Sequence, residues 1–392
     1  MQQKMKPILN LDLEYGLVLE GGGARGAYQA GAWKALREAG VKIRGVSGTS
    51  VGALNGVMIC MDDFEKAEEI WGNMTYARIL DVDEKVIGGL KNLGTKSLDF
   101  SDLTAEMKKI VSGRGLDITP LRKLIEETVD EEKVRNSDCE FYATSFCVSD
   151  RKEVNFDVKS VPEGTIKDVL LASSYFPGFR NEKIGGKIYM DGGSVNNVPI
   201  NVLTDRGYKA IIVIRIYGIG VDREKQFSRA EGVNLYRIAP RKNLGGILEF
   251  DEKRTKRNMT LGYYDAMRML YGLEGRMYYI YMPHSEAYYF DKLMSEMAVF
   301  KQYLTPYLKE DSLEKISGYR AYTEKIFPYL AKKMKLSADW DYRDLYGAIL
   351  EICAHKMELE VFEIYTADEI MNKVCRILGE NRVLRNSTMS KQ

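Results

Sequence analysis

Histidine is scarce in this sequence of 392 residues, which contains only His284 and His355. A metal site built mainly from histidines is therefore improbable on composition, and we expect no metal. His355 has Glu351 and Glu358 at helical spacing, a pattern typical of a solvated helix face. A catalytic scheme with a histidine base must therefore depend on His284. This residue follows Pro283, at the point where the pattern of strands and helices changes to helical spacing alone.

Cysteine pairs, an excess of one charge and long apolar runs are also missing. The five cysteines are odd in number and include no Cys-x-x-Cys pair, which indicates a reducing compartment rather than a disulfide framework. The formal net charge of +1 gives no global attraction to nucleic acid, so no such partner is expected. The longest apolar run, Ala210–Val221, is interrupted by Arg215 and is too short to span a bilayer. Without a signal-peptide pattern at the N-terminus, we expect a cytoplasmic protein.

The spacing of apolar residues divides the chain into an α/β part and a helical part. After an N-terminal tail over residues 1–14, residues 15–284 alternate short apolar strands with helices, which predicts a mostly parallel sheet covered on both faces. Within this part, Gly220–Asn258 is more polar and irregular, and we interpret it as a lid or a connection. Residues 285–392 show helical spacing alone and are predicted to form a helical region, with one predicted helix over Leu313–Met334.

The first motif that carries chemistry is the glycine loop Gly21-Gly22-Gly23-Ala24-Arg25-Gly26, between a predicted strand and a predicted helix. Glycines bring backbone N–H groups close to a ligand, and the helix N-terminus adds donors, so the loop suits an anion or an oxyanion. Its spacing also satisfies the dinucleotide fingerprint G-x-G-x-x-G. That alternative needs an acidic residue about 20 residues further on, yet no Asp or Glu lies between Glu38 and Asp62.

The second motif is Gly48-Thr49-Ser50-Val51-Gly52, where a predicted strand leads into a predicted helix. This is the context that a G-x-S-x-G nucleophile elbow requires, because small neighbours permit the strained turn that exposes the serine. An alternative is that Ser50 is an ordinary helix N-cap.

The third motif is Asp191-Gly192-Gly193, directly after a predicted strand. A carboxylate at the carboxyl end of a strand points into the crevice where α/β proteins place their sites. Taken alone, the motif is equally typical of a simple Asp-Gly turn.

Together, in this order and spacing, the motifs resemble the patatin-like phospholipase family. That family has a G-G-G-x-[RK]-G loop after the first strand, a G-x-S-x-G elbow after the next and a later D-G-[GA]. The resemblance extends to Ala172-Ser173 and Pro177 before the Asp strand and to Asn197-Val198-Pro199 after it. It covers roughly Tyr15 to the 270s and leaves out the helical region.

The resemblance implies a three-layer α/β/α core and a serine acyl hydrolase that uses a Ser–Asp dyad without a cofactor. Ser50 would be the nucleophile, and Asp191 would take its proton and return it to the leaving alcohol. The backbone N–H groups of Gly22, Gly23 and their neighbours would form the oxyanion hole, with Arg25 holding that loop in place. The substrates implied are lipid esters, most plausibly phospholipids or lysophospholipids.

Several alternatives stay open at this point. Ser50, Asp191 and His284 obey the Ser…Asp…His order of α/β-hydrolases, although only one strand and one helix precede Ser50. A dinucleotide-binding protein and a catalytically silent scaffold are the rivals from other classes. The mixed-charge run Asp251–Arg257, with its basic part Lys253–Arg257, is typical of a solvated helix face but would also suit a peripheral contact with anionic lipid. The lipid class, the acyl position and the oligomeric state are left open.

Overall fold

The computed structural model describes residues 5–94, 99–111, 115–224, 232–304 and 319–377. The chain divides into two compact units. One comprises Pro7–Leu270, and the other comprises Tyr271–Gln392 together with Met1–Lys6. The three sequence motifs all belong to the first unit.

A sheet of seven strands forms the centre of the first unit within the described part of the chain. Its order is β4-β3-β2-β1-β6-β7, with β5 paired to β3 in addition. The pairs β1–β2, β2–β3, β1–β6 and β6–β7 are parallel, whereas β4 and β5 are antiparallel to β3. The strands are β1 (Glu14–Leu19), β2 (Lys42–Thr49), β3 (Glu140–Cys147), β4 (Lys152–Asp157), β5 (Tyr189–Asp191), β6 (Ala210–Ile214) and β7 (Asn234–Ile238).

Helices pack on both faces of this sheet. On one face, α2 approaches β1 so closely that a side chain at Gly52 would collide with the carbonyl oxygen of Leu19. On the other face, α9 contributes Leu203 to a buried cluster that contains Val18 and Val213. The predicted mostly parallel sheet with helices on both faces is therefore confirmed. The helices of this unit are α1 (Ala27–Glu38), α2 (Val51–Cys60), α3 (Phe64–Gly72), α4 (Glu84–Gly94), α5 (Phe100–Ile110), α6 (Thr119–Thr128), α7 (Glu131–Asn136), α8 (Ile166–Ser174), α9 (Ile200–Thr204) and α10 (Glu252–Tyr271).

Strand β3 is the element that brings the second and third motifs together. Its first half pairs with β2 up to the partners Thr49 and Thr144, and its second half pairs with β5 from the partners Ser145 and Asp191. The carboxyl ends of β2 and β5 therefore meet beside two consecutive residues of one strand.

The polar segment Gly220–Asn258 is not simply a lid or a connection. It contributes β7, which adds a parallel strand to the edge of the sheet beside β6, and it contains the start of α10. Part of this segment, residues 225–231, lies outside the described residues.

The second unit is mainly helical, but its described part also contains two short strands. Strand β9 lies in the stretch where helices alone were predicted. It pairs in parallel with β8, and buried Ile280 and Tyr365 are partners in this pairing. The first residues of the predicted helix Leu313–Met334 lie outside the described residues, as do the ends of the chain. The elements are β8 (Tyr279–Tyr281), α11 (Glu286–Leu304), α12 (Tyr319–Ala321), a π turn (Tyr322–Ile326), α13 (Phe327–Lys333), α14 (Tyr342–Lys356), β9 (Ile364–Thr366) and a helix over residues 367–377.

Among the helices that the structure describes, none combines the length and the apolar composition needed to cross a membrane.

Candidate active site

Ser50 lies in a sharp turn between β2 and α2. Its backbone has φ 55° and ψ −123°, a conformation that a residue with a side chain adopts at a cost of about 1–3 kcal/mol. Gly48 and Gly52 make the turn possible, because a side chain on Gly48 would collide with the backbone of Gly52. The Ser50 side chain makes no capping hydrogen bond to α2, so the ordinary N-cap interpretation is wrong.

A second serine, Ser173 on α8, anchors this turn to the sheet. Its Oγ accepts a hydrogen bond from the Ser50 N–H (3.0 Å) and donates one to the carbonyl oxygen of Thr144 on β3 (2.6 Å). Neither interaction could be read from spacing, because the three residues belong to three separate elements. The strained Ser50 peptide is thus fixed by one side chain and one strand.

Asp191 is buried at the carboxyl end of β5, with 3% of its surface exposed. Its Oδ1 accepts a hydrogen bond from the N–H of Gly193 (2.8 Å), whereas its Oδ2 has no partner of hydrogen-bond geometry among the described residues. Burial raises the pKa of Asp191 to about 6, and the Ser50 hydroxyl and the Gly193 N–H limit that rise. The Ser50 hydroxyl therefore lies close enough to the Asp191 carboxyl group to influence its pKa.

The glycine loop Gly21–Gly26 follows β1 and turns through a 3₁₀ helix, Gly23–Gly26, into α1. Gly23 has φ 54°, and a side chain there would collide with the carbonyl oxygen of Ile247. At Gly22, an added side chain would first meet the end of Ile216 (2.8 Å) and then Gly218 Cα (3.2 Å). No described residue accepts a hydrogen bond from the N–H of Gly22 or of Gly23, so both donors are available to a ligand.

Arg25 ties the glycine loop to the segments that follow β6 and precede α10. Its Nε donates to the carbonyl oxygen of Gly245 (2.7 Å), and its Nη1 donates to those of Ile216 (3.3 Å) and Tyr217. Burial lowers the pKa of this guanidinium. The contacts fit the positioning role that the resemblance implies for Arg25.

The sequence did not predict a buried ion pair next to the glycine loop, between Glu20 and Arg215. Glu20, immediately before Gly21, accepts hydrogen bonds from Arg215 Nε (2.9 Å) and from the N–H groups of Ile216, Tyr217 and Gly218 (2.6, 2.9 and 3.1 Å). Burial raises the pKa of Glu20, and Arg215 opposes that rise. The one available signal was Arg215 itself, a charge inside an otherwise apolar strand run.

One cavity contains the glycine loop, Ser50 and Asp191 in its wall. Its empty space, open mouth included, is about 1010 Å³. Apart from these groups its lining is mostly aliphatic and aromatic, drawn from α2, α3, α6 and the loops around Phe176 and Ile247. Beyond the glycines, Ser50 and Asp191, the lining residues are Val51, Leu54, Asn55, Val57, Met58, Ile70, Trp71, Met74, Ile79, Leu121, Leu124, Ile125, Thr128, Val129, Ser174, Phe176, Phe179, Asn197, Ile219, Ile247, Leu248 and Phe250.

The remaining candidate residues lie elsewhere in the chain. His284 belongs to the second unit, where its ring lies 4.2 Å from that of Tyr288, and His355 is exposed on α14. Neither histidine is among the described residues that line the cavity. Within the described parts of the chain, no group of three or more His, Cys, Asp or Glu side chains is arranged to hold a metal ion.

One family model covers all three motifs. A family model described as Patatin-like phospholipase matches residues 17–204. Neuropathy target esterase sws of Drosophila melanogaster is 28% identical over 204 residues, which are 51% of this chain and 13% of that protein. Patatin-like phospholipase domain-containing protein 7 of Mus musculus is 28% identical over 201 residues, again 51% of this chain and 13% of that protein. The matched segment thus spans about an eighth of the length of these relatives.

Comparison with solved structures finds matches to two bacterial proteins. VipD of Legionella pneumophila aligns over 87% of this chain and 83% of its own, with a TM-score of 0.41 and 13% identity. The type III effector ExoU aligns over 88% and 78%, with a TM-score of 0.36 and 14% identity. The family model and the curated relatives confirm the resemblance predicted from the motifs: residues 17–204 of this chain match the model of the patatin-like phospholipase family.

Proposed function

We propose that this chain is a serine hydrolase that cleaves carboxylic esters of lipids, with Ser50 as the nucleophile and Asp191 as the general base. The observation that carries the proposal is that Ser50, which lies in a strained turn, and Asp191, a buried carboxyl group with a raised pKa, line the same mostly apolar cavity. Perturbed carboxyl groups beside a candidate nucleophile are typical of catalytic sites.

In the acylation step, Ser50 Oγ attacks the ester carbonyl carbon while its proton passes to Asp191. The tetrahedral intermediate then collapses, the bond to the leaving alcohol breaks, and Asp191 returns the proton to that alcohol. Water repeats the sequence on the acyl–Ser50 ester and releases the fatty acid. A carboxyl pKa near 6 suits this exchange, because the group is ionised at neutral pH yet basic enough to accept a proton.

The N–H groups of Gly22 and Gly23 are the proposed oxyanion donors. They are unpartnered among the described residues and border the same cavity as Ser50. Gly21 and Gly26 allow the close turn, and Arg25 holds it against the carbonyl groups of its neighbours. The N-terminus of α2 behind Ser50 adds a favourable dipole for the developing negative charge.

The apolar lining favours a substrate with a long acyl chain, because each buried CH₂ group contributes about 0.8 kcal/mol to binding. Phospholipids and lysophospholipids fit this requirement. Labelling with a fluorophosphonate, followed by peptide mapping, tests the proposal directly. The label is expected on the peptide that contains Ser50 and should be lost in Ser50→Ala, whereas a label on another serine or no label at all would contradict the assignment.

The oxyanion loop can be tested with the small substitution Gly22→Ala. A methyl group at Gly22 would first meet the flexible end of Ile216 (2.8 Å) and then Gly218 Cα (3.2 Å), so a small local shift should accommodate it while displacing the donors. We expect turnover to fall by about 10²-fold, the usual effect of losing one oxyanion donor. Gly88→Ala on α4, where the added methyl meets no neighbour, is the matched control. Normal turnover in Gly22→Ala would make the loop purely structural.

The raised pKa of Asp191 predicts an acid limb in the pH profile. The ionised carboxylate accepts the Ser50 proton, so kcat/KM should fall as the pH decreases through about 6 and should be level above it. Hydrolysis is best followed by chromatography, since nitrophenol absorbance itself changes with pH. A limb centred near 3.8, the ordinary value for Asp, would show that the base is not the buried group.

We also propose a reversible peripheral contact with anionic membranes through the exposed part of α10. Lys253, Lys256 and Arg257 are exposed on this helix, and basic residues near a membrane surface each contribute about 1 kcal/mol. Sedimentation with anionic vesicles should weaken at high salt and in the double variant Lys253→Glu, Lys256→Glu. The double variant Lys108→Glu, Lys109→Glu on α5 carries the same charge change as a control. Equal sedimentation with neutral and anionic vesicles at low salt would contradict the contact.

A further inference from the structure

Ser174, the last residue of α8, has a buried hydroxyl group that nothing in the proposed mechanism uses. Its exposed fraction is 5%, and its Oγ has no hydrogen-bond partner among the described residues. Serines in helices commonly bond back to the carbonyl of the preceding turn, but this one does not. A buried hydroxyl without a partner is unusual in a native protein and needs an explanation.

The position of Ser174 relative to Ser50 and Asp191 is fixed from both sides. The residue before it, Ser173, receives the hydrogen bond from the Ser50 N–H (3.0 Å), and the residue after it, Tyr175, receives one from the Asp191 N–H (2.9 Å). Ser174 itself lines the cavity together with Ser50 and Asp191. The unpartnered hydroxyl therefore belongs to the residue between Ser173 and Tyr175, which accept hydrogen bonds from the N–H groups of Ser50 and Asp191.

We propose that the Ser174 hydroxyl holds the oxygen atom that exchanges a proton with Asp191, which is the attacking water in deacylation and the leaving alcohol in acylation. The inference rests on the proposed function and adds a third residue that touches the reacting atoms. The oxyanion donors Gly22 and Gly23 follow β1, whereas Ser174 borders β3 and β5 through the residues on either side of it. We therefore assign this hydroxyl to the oxygen atom that exchanges a proton with Asp191, and not to the oxyanion.

The deacylation step shows what this hydroxyl contributes. The water oxygen bonds to the acyl carbon, one water proton goes to Asp191, and the bond from the acyl carbon to Ser50 Oγ breaks. Asp191 then returns its proton to Ser50 Oγ, and a free carboxylic acid leaves. A hydroxyl group can both donate and accept, so Ser174 can orient the water through the lone pair or the hydrogen not used in the reaction.

The test compares Ser174→Ala with wild type on a short-chain nitrophenyl ester. Nitrophenolate leaves without help from an acid, so acylation should be little affected, whereas deacylation needs an oriented water. We expect steady-state turnover about tenfold lower, the effect of losing one neutral hydrogen bond to the transition state. The first equivalent of nitrophenol should still appear rapidly, and intact-protein mass spectrometry should detect acylated Ser50. Ser174→Thr, which keeps the hydroxyl, should recover most of the turnover.

Two results would overturn the inference: wild-type turnover in Ser174→Ala, or an equal slowing of acylation and deacylation. Ser101→Ala on α5, an exposed serine, gives the baseline for a serine-to-alanine change. If circular dichroism shows that Ser174→Ala does not fold, Ser174→Cys takes its place, because a thiol has similar size and is a weak hydrogen-bonding group. A wild-type protein that is inactive and takes no fluorophosphonate label would instead refute the proposed function. The failure of the Ser174 inference can therefore be told apart from the failure of the proposed function.

Discussion

Replacing Ser50 with alanine is expected to lower turnover of a short-chain nitrophenyl ester by about 10³-fold or more, because a methyl group cannot form the covalent intermediate. The substitution removes one oxygen atom that makes no capping hydrogen bond, and alanine has the same backbone preferences as serine in the strained turn. The fold should therefore persist while fluorophosphonate labelling disappears.

The matched comparison for this experiment is Ser101→Ala, which changes an exposed serine on α5 and should leave turnover unchanged. Circular dichroism establishes that both variants fold. A Ser50→Ala protein that turns over the ester at the wild-type rate would remove Ser50 from the reaction.

Asp191→Asn is the second change with a large expected effect, a loss of about 10²–10⁴-fold in turnover, because an amide cannot accept the proton of Ser50. Its carbonyl oxygen can still accept the hydrogen bond from the Gly193 N–H. Burial raises the pKa of Asp191, so the ionised carboxylate destabilises the fold above that pKa, and a neutral amide should leave the protein at least as stable at neutral pH.

The comparison variant for Asp191→Asn is the double substitution His284→Ala, His355→Ala. If Asp191 is the base, this double variant keeps most of its activity, since neither histidine is among the described residues of the cavity. A folded His284→Ala protein without activity would replace the dyad with a Ser50–Asp191–His284 triad.

Much of the sheet was predictable because its central strands are buried on both faces. Strands β1 and β6 are continuous apolar runs that end at glycines or polar turns, and such runs identify parallel strands without any knowledge of their neighbours. Strand β7 was not predicted because its sequence, Asn-Leu-Tyr-Arg-Ile, is half polar. The strand lies at the edge of the sheet, where one side needs no strand partner.

The motifs singled out Ser50, Asp191 and the glycine loop, which the structure brings to one cavity, because each motif depends on local backbone geometry that needs particular residues in sequence. The supports around them depend on contacts between distant segments. Glu20 meets Arg215 across two strands, and Ser173 meets Ser50 from another helix. A serine that bonds a remote N–H and one that caps a helix look the same in a sequence, so such roles appear only when the chain is folded.

Strand β3 brings Ser50 and Asp191 together through its pairing with β2 and β5, whereas part of the cavity wall comes from other segments of the chain. Ser50 and Asp191 are far apart in the chain, yet Thr144 and Ser145, which are consecutive, pair with the ends of their two strands. The helices α3 and α6, which supply part of the cavity wall, both lie in the chain between β2 and β3. The entropic cost of closing a loop rises only slowly with its length, so this insertion can lengthen, shorten or change sequence at modest cost. The wall of this cavity can therefore change while the pairing of β3 that brings Ser50 and Asp191 together stays the same.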